Sequence, residues 1–270
     1  MDDVNTAIMD ALRGGAKLLT SMYTMNYSSR KKMDKTLVTE ADFAVHNYII
    51  EVLSERTPGV CVDSEEDRAS SLALKESSKH WILDPLDGTE NFATLNPHFG
   101  IALGLVSNDV VIAGGVIQPF TDVLFSFGGA QGPLINGNVF PRSEIGVATI
   151  EGAGVAFIPT ATSQRTEFAQ RAHAKIYSSC RRLIDNWAPS LDWCALSTGR
   201  IDAIVSYGKT GAYEDFDARI GKALFQEVWG HDAHIEKHMI GIGNRPHVLE
   251  IATRNPELAQ ELRVRLLDET

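Results

Sequence analysis

The sequence has few cysteines and no long apolar segment, which excludes disulfide-rich, zinc-cluster and membrane-spanning proteins. Its 270 residues include three cysteines, Cys61, Cys180 and Cys194, which are too few and too widely spaced for a disulfide framework or a zinc cluster. No apolar segment approaches the ~20 residues that a membrane-spanning helix requires. The first residues are acidic and lack the basic and apolar regions of a signal peptide. We therefore expect a cytoplasmic protein that does not contact a membrane.

Positive charge is also scarce. The chain has 25 lysines and arginines against 35 aspartates and glutamates, which gives a formal net charge of −10. Proteins that bind nucleic acids need a basic surface for the phosphate backbone, so no direct nucleic-acid partner is expected. The 44% of hydrophobic and 22% of charged residues are ordinary values that exclude a disordered or collagen-like chain. If the substrate is an anion, something cationic must be supplied, and a metal ion is the obvious candidate.

The spacing of apolar residues predicts a mixed α/β fold. In the first half we expect an amphipathic helix over residues 4–22 and a second helix that begins at an N-capping Thr39. Short apolar segments separated by turn residues predict a meander of antiparallel strands over residues 98–127. In the second half strands alternate with helices, and we expect helices over residues 216–229 and 256–267.

Glycines and polar residues concentrate between residues 140 and 153, and we expect a domain boundary there. The predicted division is an α+β half that holds the acidic motifs, residues 1–145, and an α/β half, residues 146–270.

The most informative motif is WILDPLDGTENF, residues 81–92. Asp84 follows a hydrophobic strand, and Pro85 is expected to end that strand because proline removes a backbone donor. A turn at Asp87 and Gly88 then brings two carboxylates together beside open backbone N–H groups. Two neighbouring carboxylates repel unless a cation lies between them, and Mg²⁺ prefers oxygen ligands, whereas turn N–H groups bind anions. The segment predicts a site that binds a metal ion and a phosphate group next to each other. The alternative interpretation is a capping turn with two solvated aspartates.

A covalent phosphoenzyme is a competing interpretation of this motif. Phosphotransferases that form an aspartyl-phosphate carry Asp-x-Asp-Gly-Thr after a strand. Here Pro85 occupies the position of the nucleophile, and proline cannot act as one. The spacing therefore favours metal binding.

The segment Asp84 to Phe92 resembles the hallmark of the inositol monophosphatase family, the lithium-sensitive, magnesium-dependent phosphomonoesterases. Further segments resemble family motifs in the same order: LVTEAD at 37–42, SEE at 64–66, LDWC and GRID between 191 and 202, and FD with EVWG between 216 and 230. The resemblance runs from about residue 4 to the end. It implies the layered α-β-α-β-α sandwich of the sugar phosphatases, an active site in the cleft between the two halves, and a homodimer.

The resemblance also implies an activity, which is hydrolysis of a small phosphate monoester by a water molecule that two or three Mg²⁺ ions activate. The expected substrate is inositol 1-phosphate or a related sugar or polyol phosphate. Fructose 1,6-bisphosphate, histidinol phosphate and 3′(2′),5′-bisphosphate nucleotides are alternatives within the family. A regulatory or binding member with weak catalysis is a further alternative, but the intact ligand set favours an enzyme.

The resemblance assigns the metal ligands residue by residue. The first ion would contact Glu65, Asp84 and the backbone carbonyl of Leu86, the second would contact Asp84, Asp87 and Asp217, and a third, weaker ion would contact Glu65. Glu65 has an alternative interpretation, because a glutamate in a solvated loop needs no metal ion. Asp215, two residues before Asp217, is an alternative second-ion ligand.

The remaining assignments concern water and substrate. Asp42 would hydrogen-bond the Thr89 hydroxyl and, with Glu65, orient the attacking water, although an aspartate in a first helical turn also complements the helix dipole. Gly88 and Thr89 would offer backbone N–H groups to the phosphate. The predicted substrate contacts are Gly88, Thr89, Asp87 and Asp217.

The chain departs from the family where the substrate is expected to approach. Many members have Gly-Ser-Ala-Ala there, whereas this chain has Trp187-Ala188-Pro189-Ser190, which predicts a bulkier pocket wall. A gapless count places Thr210 where inositol-specific members have a glutamate, and Tyr213 and Glu214 lie nearby. These changes leave the hydrolytic residues in place but weaken the case for inositol itself.

A basic loop and a set of histidines can each be interpreted as part of a functional site or as ordinary protein surface. Family members bring a lysine towards the metal site, and the candidates here belong to a basic loop that is equally typical of a solvated surface: Arg30, Lys31, Lys32 and Lys35. Histidines near Asp232 and Glu236 permit a zinc site, but without a compelling third ligand surface histidines are the preferred interpretation. These are His231, His234 and His238.

Overall fold

The computed structural model describes residues 2–29, 35–67, 78–141, 146–209, 216–241 and 246–268. This described part is a mixed α/β fold with two β-sheets and seven α-helices, which confirms the predicted fold class. Across these ranges, none of the helices combines the length and the apolar composition needed to cross a bilayer.

The chain forms two compact units. The first consists of Met1–Phe140, Asn186–Cys194 and Asp215–Glu227, and the second of Pro141–Asp185, Ala195–Glu214 and Val228–Thr270. Two short segments from the later part of the chain therefore belong to the first unit. The predicted division at residue 145, with a cleft between two halves, stays a prediction.

The first unit contains a seven-stranded sheet in the order β1 to β7. Strands β1 and β2 are parallel and the other neighbours are antiparallel, which confirms the predicted meander. Its strands are β1 (Cys61–Ser64), β2 (Lys79–Asp87), β3 (Gly100–Ser107), β4 (Val110–Gln118), β5 (Val123–Phe127), β6 (Leu134–Ile135) and β7 (Asn138–Val139). Its first helices are α1 (Asp2–Ser29), α2 (Lys35–Arg56) and the short α3 (Thr89–Ala93).

Helices α1 and α2 pack on this sheet through the apolar faces that their periodicity predicts. Ile8, Leu12 and Leu19 of α1 are fully buried in one core with residues of α2 and the strands. Burying each such side chain stabilises the fold by roughly 1.5–3 kcal/mol. The two helices approach closely at Gly14, where an added Cβ would collide with the hydroxyl of Tyr48.

Two predicted boundaries in this unit are wrong. Helix α2 begins at Lys35, so Thr39 lies within it and is not its N-cap. Residues 35–39 contain no glycine or proline that would stop the helix, and packing of the helix on the sheet extends it beyond the predicted start. Strand β2 continues through Pro85 to Asp87, and its register with β3 shifts between Asp84 and Asp87. Proline is tolerated at such a bulge, where the strand does not need its N–H group.

The second unit contains a five-stranded sheet in the order β11-β12-β10-β8-β9. Strands β8, β9 and β10 are parallel, and β12 is antiparallel to both of its neighbours. The strands are β8 (Gly154–Pro159), β9 (Arg182–Ile184), β10 (Ala203–Lys209), β11 (His234–Ile240) and β12 (His247–Thr253). The helices after α3 are α4 (Glu167–Tyr177), α5 (Pro189–Ser197), α6 (Phe216–Trp229) and α7 (Pro256–Leu267). Most of α5 and α6 belongs to the first unit, and α6 and α7 have the predicted bounds.

Candidate metal and phosphate site

Three buried aspartates of the first unit converge. Asp84 and Asp87 lie at the end of β2, and Asp217 lies in the first turn of α6. One carboxylate oxygen from each lies within 4.8 Å of the other two, and within the described ranges this is the group of acidic, histidine or cysteine side chains that is placed to hold a metal ion. The structure thus brings together three of the predicted metal ligands.

The bulge in β2 and the start of α5 set the orientation of the two β2 aspartates. The Leu86 N–H donates to Oδ1 of Asp84 at 3.0 Å, which turns this carboxylate back along its own loop. The backbone N–H of Ser190 donates to Oδ2 of Asp87 at 2.9 Å, and the Ser190 hydroxyl donates to the same oxygen. Asp87 therefore satisfies backbone donors at the N-terminus of α5, where orphan N–H groups need acceptors.

Burial makes the negative charge of this cluster unfavourable. Burial is the main cause that raises the pKa of Asp84 well above its usual value, with additional repulsion from Glu65, Asp87 and Asp217. Burial likewise raises the pKa of Asp87 to about 7, although the hydrogen bonds from Ser190 oppose the increase. A hard divalent cation would relieve both the desolvation and the repulsion, and carboxylate oxygens are the ligands that such ions prefer. The residues present therefore fit a Mg²⁺ site.

Glu65 follows β1 and lies within electrostatic range of the aspartates. Its backbone N–H donates to the Leu83 carbonyl at 3.1 Å, which continues the pairing of β1 with β2. The charge of Glu65 raises the pKa values of Asp84 and Asp87, although its side chain is exposed. Its side chain is not one of the three whose oxygens lie within 4.8 Å of one another, so its role as a metal ligand stays a prediction.

Asp42 is a buried carboxylate of α2 that faces other negative charges. Burial is the largest cause that raises its pKa to about 8, followed by repulsion from Glu66 and Glu65. One expected contact is absent, because the Thr89 hydroxyl donates to the Leu86 carbonyl at 3.0 Å and not to Asp42. The hydroxyl reaches back to the carbonyl three residues earlier, so the turn satisfies it locally.

Gly88 forms the sharp turn before α3. Its φ of 89° lies in the left-handed region, where glycine is favoured because it has no Cβ. An added Cβ would lie 3.1 Å from the His98 carbonyl oxygen, 3.2 Å from the Cβ of Phe99 and 3.3 Å from the Cβ of Ala188. The predicted phosphate contacts, Gly88 and Thr89, therefore lie directly beside Asp87 on a crowded turn.

The sequence interpretation missed a buried pair near Glu65. Nδ1 of His46 lies 2.8 Å from the hydroxyl of Ser64, the last residue of β1. Both side chains are buried. The four-residue spacing of Asp42 and His46 is a signal that both lie on one face of α2, but the partner on β1 follows only from the packing.

Several candidate residues lie outside the described ranges. These are Arg30, Lys31, Lys32, Thr210, Tyr213, Glu214 and Asp215, and the side chain of Lys35 also lies outside the description.

The candidate zinc histidines each lie close to a carboxylate. Nε2 of His234 and Nε2 of His238 lie 3.4 and 3.0 Å from different oxygens of Glu236, which also pairs with Arg263 at 3.3 Å. Both histidines lie on strand β11 and flank one carboxylate, which is not the shared geometry of a metal site. His231 is exposed and lies 3.1 Å from Asp232.

Comparison with known proteins finds one family along most of the chain. A model of the inositol monophosphatase family matches residues 1–259. The chain is 36% identical over 110 residues to the 3′(2′),5′-bisphosphate nucleotidase CysQ of Buchnera aphidicola, a match that spans 41% of each protein. It is 26% identical over 203 residues to the inositol monophosphatase of Dictyostelium discoideum, which covers 71% of this chain and 73% of that protein.

Solved structures share the fold. The native crystal structure of the extragenic suppressor protein suhB from Bartonella henselae superposes with a TM-score of 0.77 at 18% identity, and the match covers 99% of both chains.

Proposed function

Because the chain belongs to the inositol monophosphatase family and is a phosphatase, we propose that it hydrolyses a small-molecule phosphate monoester with two or three Mg²⁺ ions. The observation that supports this proposal is the cluster of Asp84, Asp87 and Asp217, three buried carboxylates within 4.8 Å of one another. The cluster adjoins the Gly88 turn, whose N–H groups suit a phosphate.

In the proposed reaction the metal ions and the protein side chains have different roles. Divalent cations supply positive charge to a chain of net charge −10 and make a water molecule acidic enough to act as the nucleophile. We assign Glu65, the Leu86 carbonyl and the three clustered aspartates to holding the ions. Glu65 and Asp42 would orient the attacking water, since the two carboxylates are close enough for the charge of Glu65 to raise the pKa of Asp42.

The substrate would be held at the same turn. Gly88 and Thr89 would donate backbone N–H groups to the phosphate oxygens. Asp87 and Asp217 would contact the departing alcohol. Hydrogen bonds from Ser190 and from the backbone of Leu191 hold the Asp87 carboxylate in place for this contact.

Two substrate classes are supported by different observations. Inositol 1-phosphate or a related polyol phosphate is supported by the family and by the relative from Dictyostelium discoideum. A 3′(2′),5′-bisphosphate nucleotide is supported by the 36% identity to the Buchnera nucleotidase. The bulky segment that begins at Trp187 also favours the second class. A homodimer and a cytoplasmic location stay predictions.

Phosphate release by the purified protein tests the reaction. We expect turnover with Mg²⁺ and none after chelation, on a panel of inositol, glycerol, histidinol, fructose and adenosine phosphates. Asp87→Asn should abolish turnover while circular dichroism and the unfolding temperature show an intact fold. Asp122→Asn, at an exposed residue, is the matched control and should retain activity.

Two results would contradict this proposal. Full activity of Asp87→Asn would remove Asp87 from the reaction. Negligible hydrolysis of the whole panel by a protein that copurifies with a partner would instead support a regulatory or binding role.

A further inference from the structure

The segment from Asn186 to Ser190, here called the wall segment, is hydrogen-bonded at both ends to residues 87–91, here called the phosphate turn because they contain Gly88 and Thr89. Nδ2 of Asn91 donates to the Asn186 carbonyl at 2.5 Å. At the other end, Ser190 donates its N–H and its hydroxyl to Asp87. The wall segment is therefore held against the residues that would bind the phosphate.

The middle of the wall segment is also close to this turn. A Cβ added at Gly88 would lie 3.3 Å from the Cβ of Ala188. The residue between Asn186 and Ala188 is Trp187, so both of its sequence neighbours contact the phosphate turn. The backbone of Trp187 is thus held next to the proposed site.

The backbone of Trp187 has an unusual conformation. Its φ is 54°, in the left-handed region that a bulky residue with a Cβ rarely adopts. Such conformations persist only where surrounding contacts enforce them, and they concentrate at ligand-binding and active sites. The hydrogen bonds of Asn186 and Ser190 on either side supply that enforcement.

Core packing does not account for this tryptophan. Its side chain is 40% exposed, whereas Trp81, Trp193 and Trp229 are 0%, 1% and 5% exposed. These four are all the tryptophans of the chain. The strained backbone therefore presents aromatic surface to solvent instead of filling the interior.

We propose that Trp187 is a specificity-determining residue whose indole ring packs against a planar nucleobase of the substrate. An indole offers an extended apolar face and a single N–H donor, which suits stacking on a base. The ring of inositol is non-planar and carries hydroxyl groups that need several hydrogen-bonding partners. The inference rests on the proposed phosphatase function and selects the nucleotide among its two substrate classes.

Kinetics on two substrates test the proposal. For Trp187→Leu, we expect the ratio of kcat/KM on adenosine 3′,5′-bisphosphate to that on glycerol 2-phosphate to fall ~10-fold, because base–aromatic stacking is lost. The change should arise mainly in KM for the nucleotide. Trp187→Phe should retain part of the ratio, since a phenyl ring still stacks. Tyr177→Leu, at an aromatic that is 72% exposed, is the matched control and should leave the ratio unchanged.

Quenching of tryptophan fluorescence tests the contact with the base without turnover. Because the other three tryptophans are buried, acrylamide should quench mainly the emission of Trp187. Adenosine 5′-phosphate with Mg²⁺ should protect this emission from acrylamide, whereas glycerol 2-phosphate should protect it less. The difference between the two ligands should disappear in Trp187→Phe.

Equal loss on both substrates in Trp187→Leu, or equal protection by both ligands, would overturn the proposal. Phosphate release from glycerol 2-phosphate would still support the phosphatase function in that case. Absence of all phosphate release would instead overturn the proposed function, while the protection experiment would still decide whether Trp187 contacts a base.

Discussion

Ser190 donates both its backbone N–H and its hydroxyl to one carboxylate oxygen of Asp87, although 103 residues separate the two in sequence. Ser190 is fully buried, so water does not compete for these hydrogen bonds. The arrangement fixes the Asp87 carboxylate and lowers its pKa against the effect of burial. Ser190 of the wall segment therefore orients a carboxylate of the proposed metal site.

Replacement of Ser190 by alanine should weaken metal binding. The variant keeps the backbone donor but loses the hydroxyl, and a hydrogen bond to a charged group contributes ~1.5–3 kcal/mol. We expect the affinity for Mg²⁺ to fall ~10-fold in isothermal titration, with a corresponding rise in the Mg²⁺ concentration required for half-maximal activity. Ser54→Ala, at an exposed helix position, is the control. An unchanged Mg²⁺ affinity in Ser190→Ala would show that the backbone N–H suffices.

The metal-free protein should lose stability as the pH rises from 5 to 8. The pKa of Asp42 is raised to about 8 and that of Asp87 to about 7, compared with ~3.9 for an unfolded aspartate. Over this window the folded state binds more protons than the unfolded state, so the free energy of unfolding falls as the pH rises through the folded pKa values. The unfolding temperature in chelator measures this slope.

Asp42→Asn should flatten the pH dependence, because it removes one of the titrating groups. Saturating Mg²⁺ should also reduce it, since the ions bind the deprotonated carboxylates and stabilise the folded state. An unfolding temperature that increases from pH 5 to pH 8 in the chelated protein would contradict the assignment.

Gly88→Ala should impair both stability and activity. A residue with a Cβ costs roughly 1–2 kcal/mol in the left-handed region, and at Gly88 the new methyl group would also crowd His98, Phe99 and Ala188. Gly59 has a similar φ of 82°, but its added Cβ would meet nothing within 4 Å. Gly59→Ala therefore isolates the conformational contribution. In urea unfolding we expect Gly88→Ala to lose more stability than Gly59→Ala, and only Gly88→Ala to lose phosphatase activity.

His46 and Ser64 should be energetically coupled. Removal of either side chain leaves a buried polar partner, at a penalty of ~1–3 kcal/mol. We expect His46→Ala and Ser64→Ala each to lower the free energy of unfolding, and the double variant to lose less than the sum of the two. Since Ser64 precedes Glu65, each variant should also weaken Mg²⁺ binding. Additive losses in the double-mutant cycle would show that the 2.8 Å contact contributes nothing.

Local chemistry explains which parts of the fold were predictable from sequence. The bounds of α7 follow from Pro256 at its start and from the apolar period that ends at Leu267. The acidic motif was recognisable because Asp84, Asp87 and Gly88 lie within five residues and their turn chemistry is local. The prediction that Pro85 ends its strand is wrong because β2 forms a bulge there, and the bulge accommodates a residue without an N–H group.

By itself, the amino-acid order determined the antiparallel meander, helices α6 and α7 and the turn that carries two aspartates, because these depend on neighbours within a few residues. The resemblance to a family had assigned Asp217 to the same ion as Asp84 and Asp87, but only the tertiary structure brought the three together. Only the tertiary structure also decided that Ser190 binds Asp87 and that Trp187 lies exposed between two anchored residues. These relationships join distant segments through burial and hydrogen bonding. Such pairings arise from the packing of the whole chain and have no counterpart in the spacing of residues along it.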